Sequence, residues 1–250
     1  MDLGIEGKVA LVMGASRGIG RGIAQALARE GAAVAVSSRS PEPLEELAAE
    51  LGGGARAFPA DGGDLDRMQA LPGEVAAELG PLEILVTNTG GPPQGGALDN
   101  PREQWEDAYR TLVLSPRALV EAALPGMRKR GWGRLVNVAS SSVREPIPNL
   151  ALSNAHRMAT VGLFKTLAAE VAGEGITVNT VATGRFATDR LAENYGSIAD
   201  AERAAREQVP AGRLGRTEEY GDLVAFICSD RAAYLTGAVI PLDGGLLRSV

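Results

Sequence analysis

Val9-Ala-Leu-Val-Met13 runs directly into Gly14-Ala-Ser16-Arg17-Gly18-Ile19-Gly20, and this order of β-formers, glycine-rich turn and helix start prepares one kind of chemistry. Where a strand turns sharply into a helix, free backbone N–H groups converge at the positive end of the helix dipole and attract phosphate. Gly14 permits the turn, Gly18 lets the backbone approach a pyrophosphate, and Gly20 lets the helix lie close to the sheet. Ile19, Ile23 and Leu27 then share a helix face that Gly31 ends. The implied ligand is a dinucleotide.

Other reactive side chains carry two readings each. Ser140, in Ala139-Ser-Ser-Ser142, can face a ligand or satisfy a strand-end turn. His156, the only histidine, could donate a proton near neutral pH, but a lone helical histidine is more often partly buried or at an interface. Arg128-Lys129-Arg130 could dock an acidic carrier protein; as the basic end of a helix it needs no partner. Arg190, Arg203, Arg206, Arg213 and Arg216 could bind an anionic substrate, though the acids among them read first as a solvated helix. Gly91-Pro-Pro-Gln-Gly-Gly96 is a turn-rich loop that could line a substrate mouth.

The elements that must position these groups alternate along the chain. Apolar β-rich runs fall at Val9–Met13, Val34–Ser37, Ile84–Thr87, Leu135–Val138, Thr177–Ala182 and Ala238–Leu242. Helix-period stretches fall between them at Arg21–Glu30, Leu44–Leu51, Leu65–Leu79, Arg102–Arg130 and Ser153–Ala172. The strands are nearly continuous in apolar residues, as in a parallel sheet covered on both faces, so a doubly wound α/β sheet is expected. Residues 186–216 read as an insertion, with one weak helix, between the last two strands.

With 250 residues and no compositional break, the chain reads as one domain spanning 1–250. A net charge of -6 argues against nucleic acid or an anionic membrane as the main partner. Cys228 is the only cysteine, so no intrachain disulfide can form. No apolar run is long enough to span a bilayer, and the acidic N-terminus lacks a signal-peptide profile. A cytoplasmic protein is expected, and nothing in the spacing reads as a metal site.

Gly14-x-x-x-Gly18-x-Gly20, Asn88-x-Gly90 and Leu242-Asp243-Gly244-Gly245 occur together. With Gly133-Arg-Leu-Val-Asn137-Val-Ala-Ser140 and Gly175-Ile-Thr-Val-Asn179, the set resembles the short-chain dehydrogenase/reductase family over essentially the whole chain. Within that family it looks most like the 3-oxoacyl-carrier-protein reductase type. The resemblance implies a single-domain Rossmann fold with about seven parallel strands and helices on both faces. It also implies a nicotinamide dinucleotide and a small carbonyl or alcohol substrate, an acyl thioester being one candidate. A homo-oligomer is implied as well, tetramer favoured, assembled through helices 102–130 and 153–172.

The resemblance places the cofactor first on Gly14, Ser16, Arg17, Gly18, Ile19 and Gly20. Asp61 would meet the adenine amino group, Asn88 and Gly90 the adenosine ribose, and Gly184 and Thr188 the nicotinamide side. An acidic residue at the end of the second strand would select NAD(H) by bonding a ribose 2′-OH and repelling a 2′-phosphate. Here that position is Ser38, followed by Arg39, and with Arg17 nearby the preference falls on NADP(H) over NAD(H). Met13 and Thr183 replace the family's usual threonine and proline.

The family's catalytic set is a serine, a Tyr-x-x-x-Lys on a helix and an upstream asparagine. Counted from Asn137 and from Gly162-Leu-Phe-Lys165, the serine is Ser140, while the Tyr and Lys positions hold Ser153 and Arg157. The asparagine position holds Leu112. A serine hydroxyl is a far weaker acid than a phenol, so Ser153 reads first as a helix N-cap or packing residue. Arg157 keeps the positive charge and can bond a ribose, but as a planar fork rather than a point charge. The resulting expectation is an NADP(H)-dependent oxidoreductase with altered proton delivery, from a water near Ser153 or from His156. The rival expectation is a dinucleotide-binding or regulatory protein without catalysis.

Overall fold

The computed structural model describes residues 1–249. Among them, seven strands form one sheet: β1 Val9–Met13, β2 Ala33–Ser37, β3 Arg56–Ala57, β4 Leu82–Asn88, β5 Gly133–Val138, β6 Ile176–Thr183 and β7 Val239–Leu242. All neighbours pair in parallel, in the order β3-β2-β1-β4-β5-β6-β7. The order in which successive strands are added across the sheet reverses between β1 and β4, which opens a ligand crevice at the carboxyl ends of the strands.

The helices are α1 Gly18–Arg29, α2 Pro41–Leu51, α3 Leu65–Leu79, α4 Arg102–Tyr109, α5 Ser115–Arg130, α6 Ala151–Val171, α7 Asp189–Tyr195, α8 Ile198–Gln208 and α9 Thr217–Ile227. Because successive strand side chains point to opposite faces, β1 feeds two cores. Ala10 and Val12 pack with Ile23 and Leu27 of α1 and Val224 of α9. Val9, Leu11 and Met13 pack with Met68 of α3, Leu119 of α5 and Phe164 of α6. Both faces are therefore covered, and β1 is buried throughout its length.

Close helix contact explains two further glycines. A Cβ on Gly22 would lie 2.4 Å from the Thr217 carbonyl oxygen, and one on Gly221 2.3 Å from that of Gly22. Small residues there let α1 and α9 touch backbone to backbone.

Several elements differ from the sequence reading. The single helix expected over 102–130 contains a π-helical turn at Arg110–Leu114, with helical backbone on either side, so α4 and α5 form one interrupted rod. The insertion at 186–216 holds two helices rather than one, around a small core of Ala201, Ala205, Val209 and Leu214. β3 has only two residues, and α9 follows the insertion immediately; neither was anticipated. The basic triplet Arg128-Lys129-Arg130 occupies the last turn of α5, and Arg128 pairs with Glu174 at 2.6 Å. The insertion's arginines pair as a solvated surface does: Arg190 with Glu193, Arg206 with Glu202, and Arg213 and Arg216 with Glu219. Among the described residues, no helix is long and apolar enough to cross a membrane.

Candidate functional site

At the end of β1 the chain turns through Gly14, whose φ of +60° suits glycine, and its carbonyl accepts a hydrogen bond from Asn88 Nδ2 at 3.3 Å. A Cβ on Gly20 would stand 2.1 Å from the Gly14 carbonyl oxygen, so the first turn of α1 can approach the strand only without a side chain. Arg17 precedes α1 in extended conformation and does not cap it, and the first turn carries no acidic residue. The N–H groups and positive end of α1 are therefore available to an anion.

This turn opens into a cleft of about 890 Å³ across the strand ends. Ser38 and Arg39 line it at the end of β2, Asp61 beyond β3, Asn88 and Gly90 after β4, and Ser140 after β5. Gly184 and Thr188 close it from the β6 side. Ser38 Oγ is buried and has no hydrogen-bond partner. Arg39 is exposed, while Arg17 faces Asp189 at 3.5 Å and Glu193 at 3.9 Å across the cleft mouth. Ser16, Gly18 and Ile19 line the cleft too; Gly20 stands behind its wall as a spacer.

At the opposite end, Ser153 and Arg157 lie one helical turn apart on the first part of α6 and share a face. Arg157 Nε donates to Ser153 Oγ at 3.2 Å, Nη1 to the Val138 carbonyl at 3.0 Å and Nη2 to the Gly90 carbonyl at 3.4 Å. The guanidinium thus ties α6 to the ends of β4 and β5. Desolvation lowers its pKa to about 10, which leaves it charged at neutral pH. Ser140 Oγ accepts from the Ser142 N–H at 3.1 Å, so it caps the short 3₁₀ turn Ser141–Val143 while also lining the cleft. The strand-end turn is thus satisfied by the hydroxyl, which also stands on the cleft wall.

Two side chains of α6 had alternative readings, and the structure selects between them. His156 does not reach the cleft: it is buried beside Trp105 and Tyr109, with Nδ1 2.8 Å from the Leu152 carbonyl. Its helical angle from Ser153 turns it toward α4 instead. Ser153 is not the N-cap of α6, a place Leu150 holds; it lies buried inside the first turn, which leaves the packing alternative. Among the described residues that line the cleft there is no tyrosine, lysine, histidine or cysteine.

Two polar arrangements escaped the sequence reading. Thr87, Asn137 and Thr180 stand in register on β4, β5 and β6, and their side chains form a buried chain at 3.3 Å and 3.5 Å just below the cleft. Thr183 Oγ1 lies 2.9 Å from the hydroxyl of Tyr220, a fully buried phenol on α9 whose pKa burial pushes far up. Thr183 lines the cleft and Tyr220 stands behind it. The only sequence hint was that Thr183 departs from the expected proline.

A family model described as enoyl-(acyl carrier protein) reductase matches residues 14–247. The chain belongs to the short-chain dehydrogenase/reductase family. It is 36% identical to 3-oxoacyl-acyl-carrier-protein reductase of Escherichia coli (strain K12), over 98% of this chain and 99% of that one. L-sorbose reductase from Gluconobacter frateurii, solved with NADPH and L-sorbose, superposes with a TM-score of 0.94 at 31% identity, each chain covered in full. The NADP active-site complex of Pseudomonas aeruginosa RhlG superposes at 0.89, with 32% identity over 98% of both chains. The seven-stranded sheet and two-sided helical cover are thus those of short-chain dehydrogenases/reductases.

Proposed function

We propose that this short-chain dehydrogenase/reductase is an NADP(H)-dependent oxidoreductase acting on a carbonyl/alcohol pair. The observation that carries the reading is the uncapped start of α1, held against β1 by Gly14 and Gly20, opening into the same cleft as Ser140, Ser153 and Arg157. The residues present suit a nicotinamide dinucleotide. Side-chain-free backbone at Gly18 leaves room for a pyrophosphate, Gly20 lets α1 lie against β1, and the orphaned Ser38 Oγ gains a partner in a ribose-bound oxygen. Ser38 and Arg39 favour the 2′-phosphate, since neither repels an anion and a guanidinium can bond it in bidentate fashion.

When bound, the nicotinamide supplies or accepts the hydride. Gly14, Gly18 and the first N–H groups of α1 hold phosphate; Asp61, whose Oδ1 already accepts from the Gly63 N–H at 2.9 Å, offers its other oxygen to an adenine amino group. Gly184 and Thr188 take the nicotinamide side, and Arg157, when no anionic substrate occupies its free donors, bonds the adjoining ribose. Ser140 donates to the substrate carbonyl oxygen. Proton delivery falls to water held against Ser140 and Ser153, since His156 faces away.

The same cleft supports a second reading, a dinucleotide-binding protein without turnover, favoured by the missing acid. Ser153 Oγ is engaged by Arg157, and the Leu112 carbonyl in the π-turn is already bonded by Thr160 Oγ1 at 2.6 Å. NADPH oxidation measured against a panel of ketones, ketoacyl thioesters, quinones and sugars separates the two. Turnover sustains the oxidoreductase reading. Tight binding without turnover replaces it by the second, and no binding of either dinucleotide removes both.

We also propose a homo-oligomer built on α4, α5 and α6, supported by the exposed apolar side chains of Tyr109 and Met158 on those helices. Light scattering tests it; a monomeric mass would remove it.

A further inference from the structure

Resting on the oxidoreductase reading, we infer that the substrate carries a carboxylate, seated on the Arg157 guanidinium with its carbonyl toward Ser140. Among the described residues, the hydrogen-bond partners of Arg157 are all neutral: one hydroxyl and two backbone carbonyls. A guanidinium has five N–H donors, so two remain, one on each terminal nitrogen. Those two can meet the two oxygens of a carboxylate in the parallel geometry that makes such pairs strong. Arg190, which also lines the cleft, is already paired with Glu193.

Two further observations point the same way. Arg157 sits in surroundings that desolvate its charge, so a matching anion recovers energy that its neutral partners do not. The first turn of α6 opens on the cleft through Leu150 and Ser153 and adds the positive end of a 21-residue helix.

A dinucleotide pyrophosphate could in principle supply the anion. Its cradle, however, is built by α1 on one face of the sheet, while Arg157 enters from α6 on the other. Arg157 is anchored on β4 and β5, one and two strands from β1, or roughly 5–10 Å at ordinary strand spacing. The guanidinium is therefore anchored apart from the pyrophosphate cradle.

The test is calorimetric titration of the intact protein with acetoacetate and with methyl acetoacetate, each with and without saturating NADP⁺. We expect the acid to bind at least tenfold more tightly than the ester. Arg157→Gln should abolish that preference and Arg157→Lys should retain part of it, with circular dichroism confirming that both variants fold. Equal binding of acid and ester by the wild type, or an unchanged preference in a folded Arg157→Gln variant, overturns the inference. So does acid binding that NADP⁺ displaces, which would assign the anion position to the dinucleotide. Failure of NADP⁺ itself to bind would instead remove the oxidoreductase reading.

Discussion

Gly20→Ala adds one methyl group at the tightest point of the cradle. The new Cβ would lie 2.1 Å from the Gly14 carbonyl oxygen, 2.7 Å from its carbon and 2.8 Å from Asn88 Nδ2, whereas ordinary contact begins near 3.4 Å. Two of these three atoms are backbone, so no side chain can swing aside; α1 must back away from β1 by on the order of 1 Å. Overpacking of this kind costs about 1–3 kcal/mol, a fall in Tm of roughly 2–12 °C for a chain of this size. The shift also misaligns the N–H groups that would hold phosphate. Charge-assisted hydrogen bonds are worth about 1.5–3 kcal/mol each, so loss of one weakens NADPH by roughly ten- to a hundredfold. Calorimetric titration and thermal unfolding by circular dichroism read the two effects. Gly73→Ala is the control, since its Cβ meets nothing within 4 Å in the exposed interior of α3. It should leave binding unchanged and stabilise the fold by about 0.5–1 kcal/mol. A Gly20→Ala protein that binds NADPH within twofold of wild type would refute the assignment of the cradle.

Ser38→Asp places a carboxylate where a 2′-phosphate is proposed to sit, and should shift the ratio of NADPH to NADH affinity toward NADH by roughly ten- to a hundredfold; an unmoved ratio would place the selectivity elsewhere. Ser153→Tyr combined with Arg157→Lys should lower turnover of the protein's own carbonyl substrate at least tenfold, because the phenol fills the substrate end and the guanidinium fork is lost. If that variant instead creates reductase activity where the wild type has none, the non-catalytic reading stands. The hydrogen bond from Arg213 holds the Glu219 carboxyl down at about 2, helped by the Arg216 N–H. Its folded pKa is depressed, so its stabilisation is complete above an unfolded pKa of about 4.5 and is lost as pH falls from there toward 2. Because the pair is largely solvated the effect is small, on the order of 0.2–1 kcal/mol. Glu219→Gln should flatten the acid limb of a denaturation series by that much, and an unaltered limb would show the pair to be inert.

How far the molecule was legible in its residues depended on how local the determining contacts are. The cradle was legible because its strand, three glycines and helix start lie within 12 consecutive residues, and each glycine answers a local steric demand. Ser153 and Arg157 could be placed on one face because a spacing of four fixes that on any helix. Whether a face is open or covered is a tertiary matter, so the residues alone left His156 two readings, and Trp105 and Tyr109 decide for the buried one. The Thr183–Tyr220 pair joins residues 37 apart on different elements, and nothing in the local pattern of either predicts the other. β3 is too short to carry a period, and the π-turn at Arg110–Leu114 leaves the apolar spacing of its rod nearly intact. α9 does carry its own start, since Glu219 accepts from the Arg216 N–H at 2.8 Å; the arginine-rich stretch before it obscured that boundary.

The most direct measurement is a crystal structure of the protein soaked with NADPH at saturating concentration. We expect the pyrophosphate over the Gly18 and Ile19 N–H groups, the 2′-phosphate against Ser38 and Arg39, and the nicotinamide end between Gly184 and Arg157. No tyrosine hydroxyl should lie within hydrogen-bond reach of the nicotinamide C4 region. A cleft that stays empty, or a dinucleotide bound away from the α1 N-terminus, would contradict the cofactor assignment. A tyrosine brought against C4 would contradict the altered proton delivery.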